Sequence, residues 1–403
     1  MSRNEALHFI NAAHFLDHFF LLIFPTAALA IAPAWDKSYG EVLLLGSPIY
    51  FMFALGTLPA GWLGDRIDHM ALIAVFFLGC GGSCLSVGVS QGPLAMTVGL
   101  GALGLFAAIY HPVGGAHITQ IGFRTGRALA VNGVFGNMGL AAAAVVTGVL
   151  AETLGWRAAF LVPGSLSVLL GLLLIWRNRY QKRTARECKD ADFPASVPQD
   201  RSTQVRIFAV ICVSALFGGL IFNAVTVSLP KFLDERLIGA GGNLAWIGAY
   251  TGSVFAVAAF AQLPVGELLD RIGARPILTA LLCLQALSLM LLARATGGAA
   301  LVLIMALVTF IFAEIPVTSW LVGHYLAPSI RSRIMAVEYV LSLGIGSAAV
   351  PLIALLQGKG FGFGWLYPGL AVAAVMVLVA ASFLPKHRAL LKRHANTATD
   401  RRN

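Results

Sequence analysis

Residues 58–67 read Leu58-Pro59-Ala60-Gly61-Trp62-Leu63-Gly64-Asp65-Arg66-Ile67, and residues 263–272 read Leu263-Pro264-Val265-Gly266-Glu267-Leu268-Leu269-Asp270-Arg271-Ile272. Seven of the ten positions are identical at an offset of 205, about half of the 403-residue chain. Fainter echoes keep nearly that offset and the same order. Pro25 answers to Pro230, Pro112-Val113 to Pro316-Val317, and Arg127 with Ala130-Val131 to Arg333 with Ala336-Val337. One echo could arise by chance, but several in one register point to a duplicated unit. In each copy an apolar stretch runs into Asp-Arg, as a helix does when it leaves a bilayer at a charged loop.

Composition supports that reading. Apolar types make up 58% of the chain and charged types 11%, against about 25% charged in a soluble globular protein. This excludes a disordered chain, a secreted disulfide scaffold and most cytosolic enzymes. The charges are also unevenly spread. None occurs in 42–64, 69–123, 128–151, 158–176, 207–230, 276–293, 295–313, 339–358 or 360–385. A membrane-crossing helix needs about 20 mostly apolar residues, so most gaps hold one helix. The longest gap holds two, divided at the turn pair Gly92-Pro93. Twelve spans are expected, over 6–32, 40–63, 70–90, 94–119, 127–151, 158–176, 207–232, 243–268, 275–293, 297–323, 333–357 and 365–385. The fold class is therefore all-α and polytopic. The expected division is a six-helix bundle over 1–176, a linker over 177–206, a second six-helix bundle over 207–385 and a tail over 386–403.

Orientation follows from the basic residues. Even-numbered loops, the linker and both termini hold 22 of the 28 Lys and Arg. Positive residues stay on the cytoplasmic side, so both termini and the linker are expected in the cytoplasm, with the chain in the cell inner (cytoplasmic) membrane. The net charge of +10 is thus a topology signal, and no nucleic-acid module accompanies it. Arg3, an apolar run and Ala28-Leu29-Ala30 imitate a signal peptide, but His14 and Asp17 interrupt its core; span one is expected to stay. Cys80, Cys84, Cys188, Cys212 and Cys283 are odd in number, and all but Cys188 are set in apolar spans. They read as packing residues, with a soft-metal use of the Cys80/Cys84 turn as the alternative.

Here the chain resembles a known family. Gly61-x-Leu63-x-Asp65-Arg66 after span two, repeated as Gly266-x-Leu268-x-Asp270-Arg271 after span eight, is similar to the signature loop of the major facilitator superfamily. His14-Phe15-Leu16-Asp17 and Tyr110-His111-Pro112 look like the fosmidomycin-resistance branch of its drug exporters. The resemblance implies two pseudo-symmetric bundles that rock about a midplane site. It also implies loop acids that help close the cytoplasmic side. By pseudo-symmetry Asp65 is expected near Arg333 at the start of span eleven, and Asp270 near Arg127 at the start of span five, with Arg66 and Arg271 completing the gating loops. Two positions depart from the pattern. Val113 stands where the branch often has an acid, and Asp68-His69-Met70 replaces the usual Gly-Arg-basic run of the first loop.

The remaining candidates are polar groups inside spans. A charge at the bilayer centre costs roughly 2.5–3.5 kcal/mol on insertion scales, which makes each one a functional candidate. Asp17 in span one and Glu314 in span ten are the deepest. At 100° per residue, Asn11, His14 and His18 lie within about 60° of one another, and Asp17 within about 60–100° of both His. A carboxylate beside imidazoles can pass protons near neutral pH. Asp17 is expected to carry the proton with His14 or His18 as partner; the alternative is a fixed polar contact between helices. Asn223, at the matching place in span seven, cannot carry one. In span four, Tyr110, His111 and Pro112 suggest substrate contact at a bend, or a kink that merely shapes the bundle. Glu314 is expected to bind a cationic group, carry a proton, pair with His111, or make a structural ion pair. Asn11, Asn223 and Trp320 complete the expected substrate lining.

These readings converge on a secondary transporter: a proton-driven exporter of a small organic compound, working as a monomer without a cofactor. An importer of a small solute remains open. A second reading takes a divalent metal or its chelate as cargo, held by His14, His18, His111, His117 and His324 with Asp17 and Glu314. A third, a membrane-embedded enzyme or haem protein, leaves the duplication unexplained. No Walker loop, dinucleotide fingerprint or His-Glu-x-x-His motif occurs, which argues against an ATP-driven pump.

Overall fold

A computed structural model describes residues 2–121, 125–179, 201–239, 242–326 and 328–385; the side chains of 119–121, 125–127, 129, 130, 179, 328–333 and 336 lie outside the description. Among the described residues, twelve helical stretches are long and apolar enough to cross a membrane. In order, the spans are Arg3–Ala34, Tyr39–Gly64, His69–Gly88, Pro93–Ile118, Val131–Leu154, Ala158–Asn178, Arg201–Ile238, Leu244–Ile272, Ala274–Leu292, Gly297–Tyr325, Val337–Gly358 and Gly362–Ala381. The chain is an all-α multi-pass membrane protein.

Polar residues at the span ends act as caps. Ser2 Oγ accepts from the Glu5 amide at 3.3 Å while a Glu5 carboxylate oxygen accepts from the Ser2 amide at 2.7 Å. Ser38 and Glu41 repeat this box before span two. Asp68 accepts from the Ala71 amide, and Asn243 from the Trp246 amide. These side chains satisfy amides that a helix start leaves without partners. Side chains such as Phe51, Leu58, Leu166, Leu169, Val302 and Val372 stand exposed along the spans, an apolar outer surface suited to lipid.

Four spans are broken, each close to the same distance before a proline. Helix stops at Leu44, Ala107, Ala259 and Gly346, and resumes at Ser47, Tyr110, Gln262 and Ala349. Pro48, Pro112, Pro264 and Pro351 follow. A proline ring clashes with the carbonyl four residues back and offers it no N–H, so the turn of Leu44, Ala108, Phe260 or Ser347 opens instead. The break expected at Pro112 therefore falls at Ala108-Ile109. Span seven departs in another way, with π-helical turns at Ser214–Gly218 and Asp234–Ile238.

Span ends differ from the expected ones mainly beside the linker. The helix of span six continues to Arg179, and that of span seven begins at Arg201, so polar turns carry both helices beyond their apolar stretches. Arg177 there pairs with Glu5 at 3.6 Å. Within the first six spans, one packs on five, two on four, and three on four and six. Within the last six, seven packs on eleven, eight on ten, and nine on ten and twelve, which is the same pattern.

The two sets meet along spans one with seven, two with eleven and five with eight. Close approach is concentrated at the end of the spans away from the linker. A Cβ on Gly40 would lie 2.9 Å from the Ala354 carbonyl oxygen, and one on Gly252 would lie 2.7 Å from that of Ala141. A Cβ on Gly148 would strike the Leu244 carbonyl, and one on Gly248 that of Ala144. Glu152 accepts from the Leu244 amide at 2.9 Å, and the Lys231 ammonium lies 5.5 Å over the Tyr39 ring. Lys231 also pairs with Asp234 at 3.0 Å and Glu235 at 3.4 Å. A recess of about 660 Å³ bordered by Lys37, Tyr39, Glu152, Lys231 and Asp234 remains on this side. The sets are thus clasped on the face away from the linker.

Candidate functional site

Span one brings its polar stripe against spans four and five. Asp17 is fully buried, about 21 Å along the helix from Arg3 at 1.5 Å per residue. Its partner is His111 of span four, whose Nε2 lies 3.3 Å from Asp17 Oδ2. That is the separation of an ion pair, and neither carboxylate oxygen makes an aligned hydrogen bond. The two expected partners, His14 and His18, bind each other instead, Nε2 to Nε2 at 3.1 Å. Single-helix angles put both His near Asp17, but the ring that reaches it comes from another helix.

His14 is fixed from behind. Its Nδ1 lies 2.7 Å from the Asn132 carbonyl oxygen, which can only accept, so Nδ1 carries the proton and Nε2 a lone pair. His18 then donates to His14. The ring of His14 stacks on Tyr110 at 4.7 Å. Span five makes room for it: a Cβ on Gly136 would fall 2.5 Å from His14 Nε2, and one on Gly139 would strike the Phe15 carbonyl. The Gly133-Gly136-Gly139 repeat thus serves the approach of spans one and five through its last two members.

Asn132 joins three candidates. It accepts from the Tyr110 hydroxyl at 2.8 Å and donates to the Asn11 side chain at 3.0 Å. Tyr339 of span eleven brings its ring within 5.6 Å of His111, a contact between the two sets of spans, and is 39% exposed. The cluster therefore draws on spans one, four, five and eleven. It can hold a proton between a carboxylate and an imidazole, and it offers several ring nitrogens to a cation.

The second-half candidates lie elsewhere. Glu314 of span ten accepts from Gln285 of span nine at 2.9 Å and does not pair with His111. Gln285 is buried and also reaches the Phe310 carbonyl. Asn223 is buried and donates to the Gly219 carbonyl one turn back, at 2.8 Å. Trp320 lines no shared site with these. It stacks on His324 at 4.1 Å and donates to Asp270 at 2.8 Å, which puts it beside the second signature loop. Of the five His proposed as ligands, His117 stands against His69 and His324 against Trp320; only His14, His18 and His111 come together.

The gating residues are partly visible. Asp65 is exposed at the end of the helix Ser47–Gly64. Arg66 lies 4.0 Å over the Trp62 ring, and Arg271 pairs with Glu267 one turn back. Asp270 is bonded within its own half by Trp320. The side chains of Arg127 and Arg333 lie outside the described residues, and so do the contacts expected for them. Cys80 and Cys84 are fully buried and free of disulfides.

Asn132, Gln285 and Tyr339 were absent from the sequence candidates. The amides were legible as polar residues inside uncharged runs, but a search for ionisable groups passes over them.

Comparison with known proteins fits this architecture. The family model described as Major Facilitator Superfamily matches residues 7–257. A multidrug resistance protein MdtG of Enterobacter lignolyticus is 30% identical over 60% of this chain, and the match spans 58% of that relative's length. The MdtG of a Rahnella strain is 25% identical over 83% of this chain and 81% of its own. A nitrite extrusion protein of Bacillus subtilis is 26% identical over 57% of this chain and 50% of its own. Among solved structures, a bacterial homologue of the human lysosomal transporter Spinster, inward-facing and occupied, superposes with a TM-score of 0.71 at 15% identity. It covers 95% of this chain and 94% of that one, and at this identity the likeness concerns the fold.

Proposed function

The chain belongs to the Major Facilitator Superfamily, and from that premise we propose that this transporter is a proton-coupled exporter of a small organic compound. The observation that carries the proposal is the Asp17–His111 pair at 3.3 Å, with Asp17 fully buried in a helix that touches the other half of the chain. A buried carboxylate costs several kcal/mol unless it is paired or protonated. A change in its protonation is therefore strong enough to bias which face of the bundle opens. Tyr339, resting on His111, links that change to span eleven.

The relatives named for multidrug resistance and nitrite extrusion support outward transport. The distribution of Lys and Arg supports the inner membrane with both termini in the cytoplasm. The repeated packing pattern supports two bundles, 1–176 and 207–385, rocking as units. Protonation of Asp17 favours one orientation and substrate the other. Asn11, Tyr110 and His111 contribute to the substrate path on the first-half side, and Glu314 and Asn223 on the other. The transporter works as a monomer.

The test is transport in proteoliposomes under an imposed pH gradient, with fosmidomycin and ethidium as probes selected by thermal shift. Asp17→Asn should abolish gradient-driven movement while leaving probe counterflow measurable. Undiminished gradient-driven transport in that variant would refute the assignment.

A further inference from the structure

We propose that His14, His18 and His111 form a binding site for one first-row transition-metal ion of the Zn²⁺ class, with Asp17 as a fourth ligand or as the group that orients His111. One ring nitrogen from each of the three His lies within 4.8 Å of the others. Zn–N bonds of about 2.0–2.1 Å in a tetrahedron set ligand nitrogens about 3.3 Å apart. The Nε2 atoms of His14 and His18 are already 3.1 Å apart, a spacing that suits two ligands once His18 gives up its Nε2 proton and both lone pairs turn to the ion. The third ring needs to close by at most about 1.5 Å on the same geometry.

The surroundings are those of a ligand set. A metal-binding His commonly donates its other N–H to a carbonyl or carboxylate, which fixes the tautomer. His14 does this through Nδ1 to the Asn132 carbonyl, at 2.7 Å. His111 holds its Nε2 at ion-pair distance from Asp17 Oδ2, 3.3 Å. Asp17 is wholly buried with both oxygens lacking a hydrogen bond, so its lone pairs are open to an ion or to the O–H of an ion-bound water. His111 and Tyr339 are partly exposed between the halves, giving a way in. Imidazoles with at most one carboxylate suit Zn²⁺, Co²⁺, Ni²⁺ or Cu²⁺ and discriminate against Mg²⁺ and Ca²⁺.

The proposal is independent of proton coupling, because binding is read without a gradient or a transport substrate. The full-length chain, purified in detergent with a His-free tag, is titrated with Zn²⁺ by calorimetry and with Co²⁺ by visible absorption, at neutral pH. One ion per chain is expected, with the intense d–d bands of four-coordinate Co²⁺. His14→Ala and His18→Ala should each weaken binding by at least about 100-fold, and Asp17→Asn by about 10–100-fold. His117→Ala, which alters the pair with His69, should leave binding unchanged. Absence of four-coordinate Co²⁺ bands in the unmodified chain overturns the proposal whatever the variants do. So does full retention of binding in His14→Ala/His18→Ala, which would put the ion on other His.

Discussion

Replacing Gly248 by valine should force the clasped face open. Gly248 lies where span eight crosses span five, and its missing side chain is what allows the crossing. A Cβ there would fall 3.1 Å from the Ala144 carbonyl carbon and 3.2 Å from the Gly148 Cα, and closer still to the Ala144 oxygen. These are backbone atoms, so no rotamer change relieves the overlap; the helices must separate. Overpacking of this kind costs about 1–3 kcal/mol. The strain exists only while the two helices touch, so it shifts the balance between closed and open faces by roughly 5- to 150-fold, at 1.4 kcal/mol per factor of ten. Spin labels at Gln91 and Lys359, on exposed loops of opposite halves on that face, read the separation by double electron–electron resonance. Gly248→Val should move the distance distribution to longer values than in the unsubstituted chain. A folded variant with an unchanged distribution would refute the reasoning, for the crossing would then not depend on the glycine.

Three other outcomes follow from the polar contacts. Asn132→Leu strands the Tyr110 hydroxyl and the Asn11 amide, at about 1–3 kcal/mol per buried group left unpaired, and should lower the melting temperature in detergent. Gln285→Leu leaves Glu314 without the Gln285 amide donor and should also lower it; adding Glu314→Leu should restore much of the loss, a coupling that a double-mutant cycle measures directly. Trp320→Phe keeps the stack on His324 but removes the N–H that binds Asp270, a charge-assisted bond of about 1.5–3 kcal/mol. In a chain otherwise free of cysteine, Ile272→Cys should then react faster with a soluble thiol reagent, and an equal rate would show that the bond does not restrain the loop.

The architecture was legible because charge in a bilayer is costly and prolines act locally. Uncharged runs marked the spans, and the repeated Asp-Arg loop marked the duplication. The opening at Ala108 lies four residues before Pro112, but Pro25, Pro59, Pro230 and Pro316 sit inside unbroken helices, so packing decides which prolines open a turn. The site was half legible. The stripe of Asn11, His14, Asp17 and His18 could be placed by angle alone, since one helix fixes its own periodicity. Which ring reaches Asp17 depends on how span four leans on span one, and that is a property of packing. Glu314 was found as a charge, while Gln285 went unseen because an amide costs less to bury than a carboxylate and draws less notice. Trp320 was assigned to the lining by residue type, yet its indole N–H is spent on the loop acid.

The π turns of span seven have a mechanical consequence. Each holds one residue more than the α-helical path between its ends requires, so each stores a slip of about 100° in the phase of the helix. Gly219–Leu233, the α-helical length between them, is bounded by slack at both ends. The second wide turn ends the helix at Gly239, so the first one alone sets the phase of this length against the residues before it. Asn223 rides on that segment, as does Lys231, which ties it to the clasped face. Deleting a single residue from Ser214–Gly218 would close that turn to an α-helical one and swing the amide that answers to Asp17 by about 100° about the helix axis.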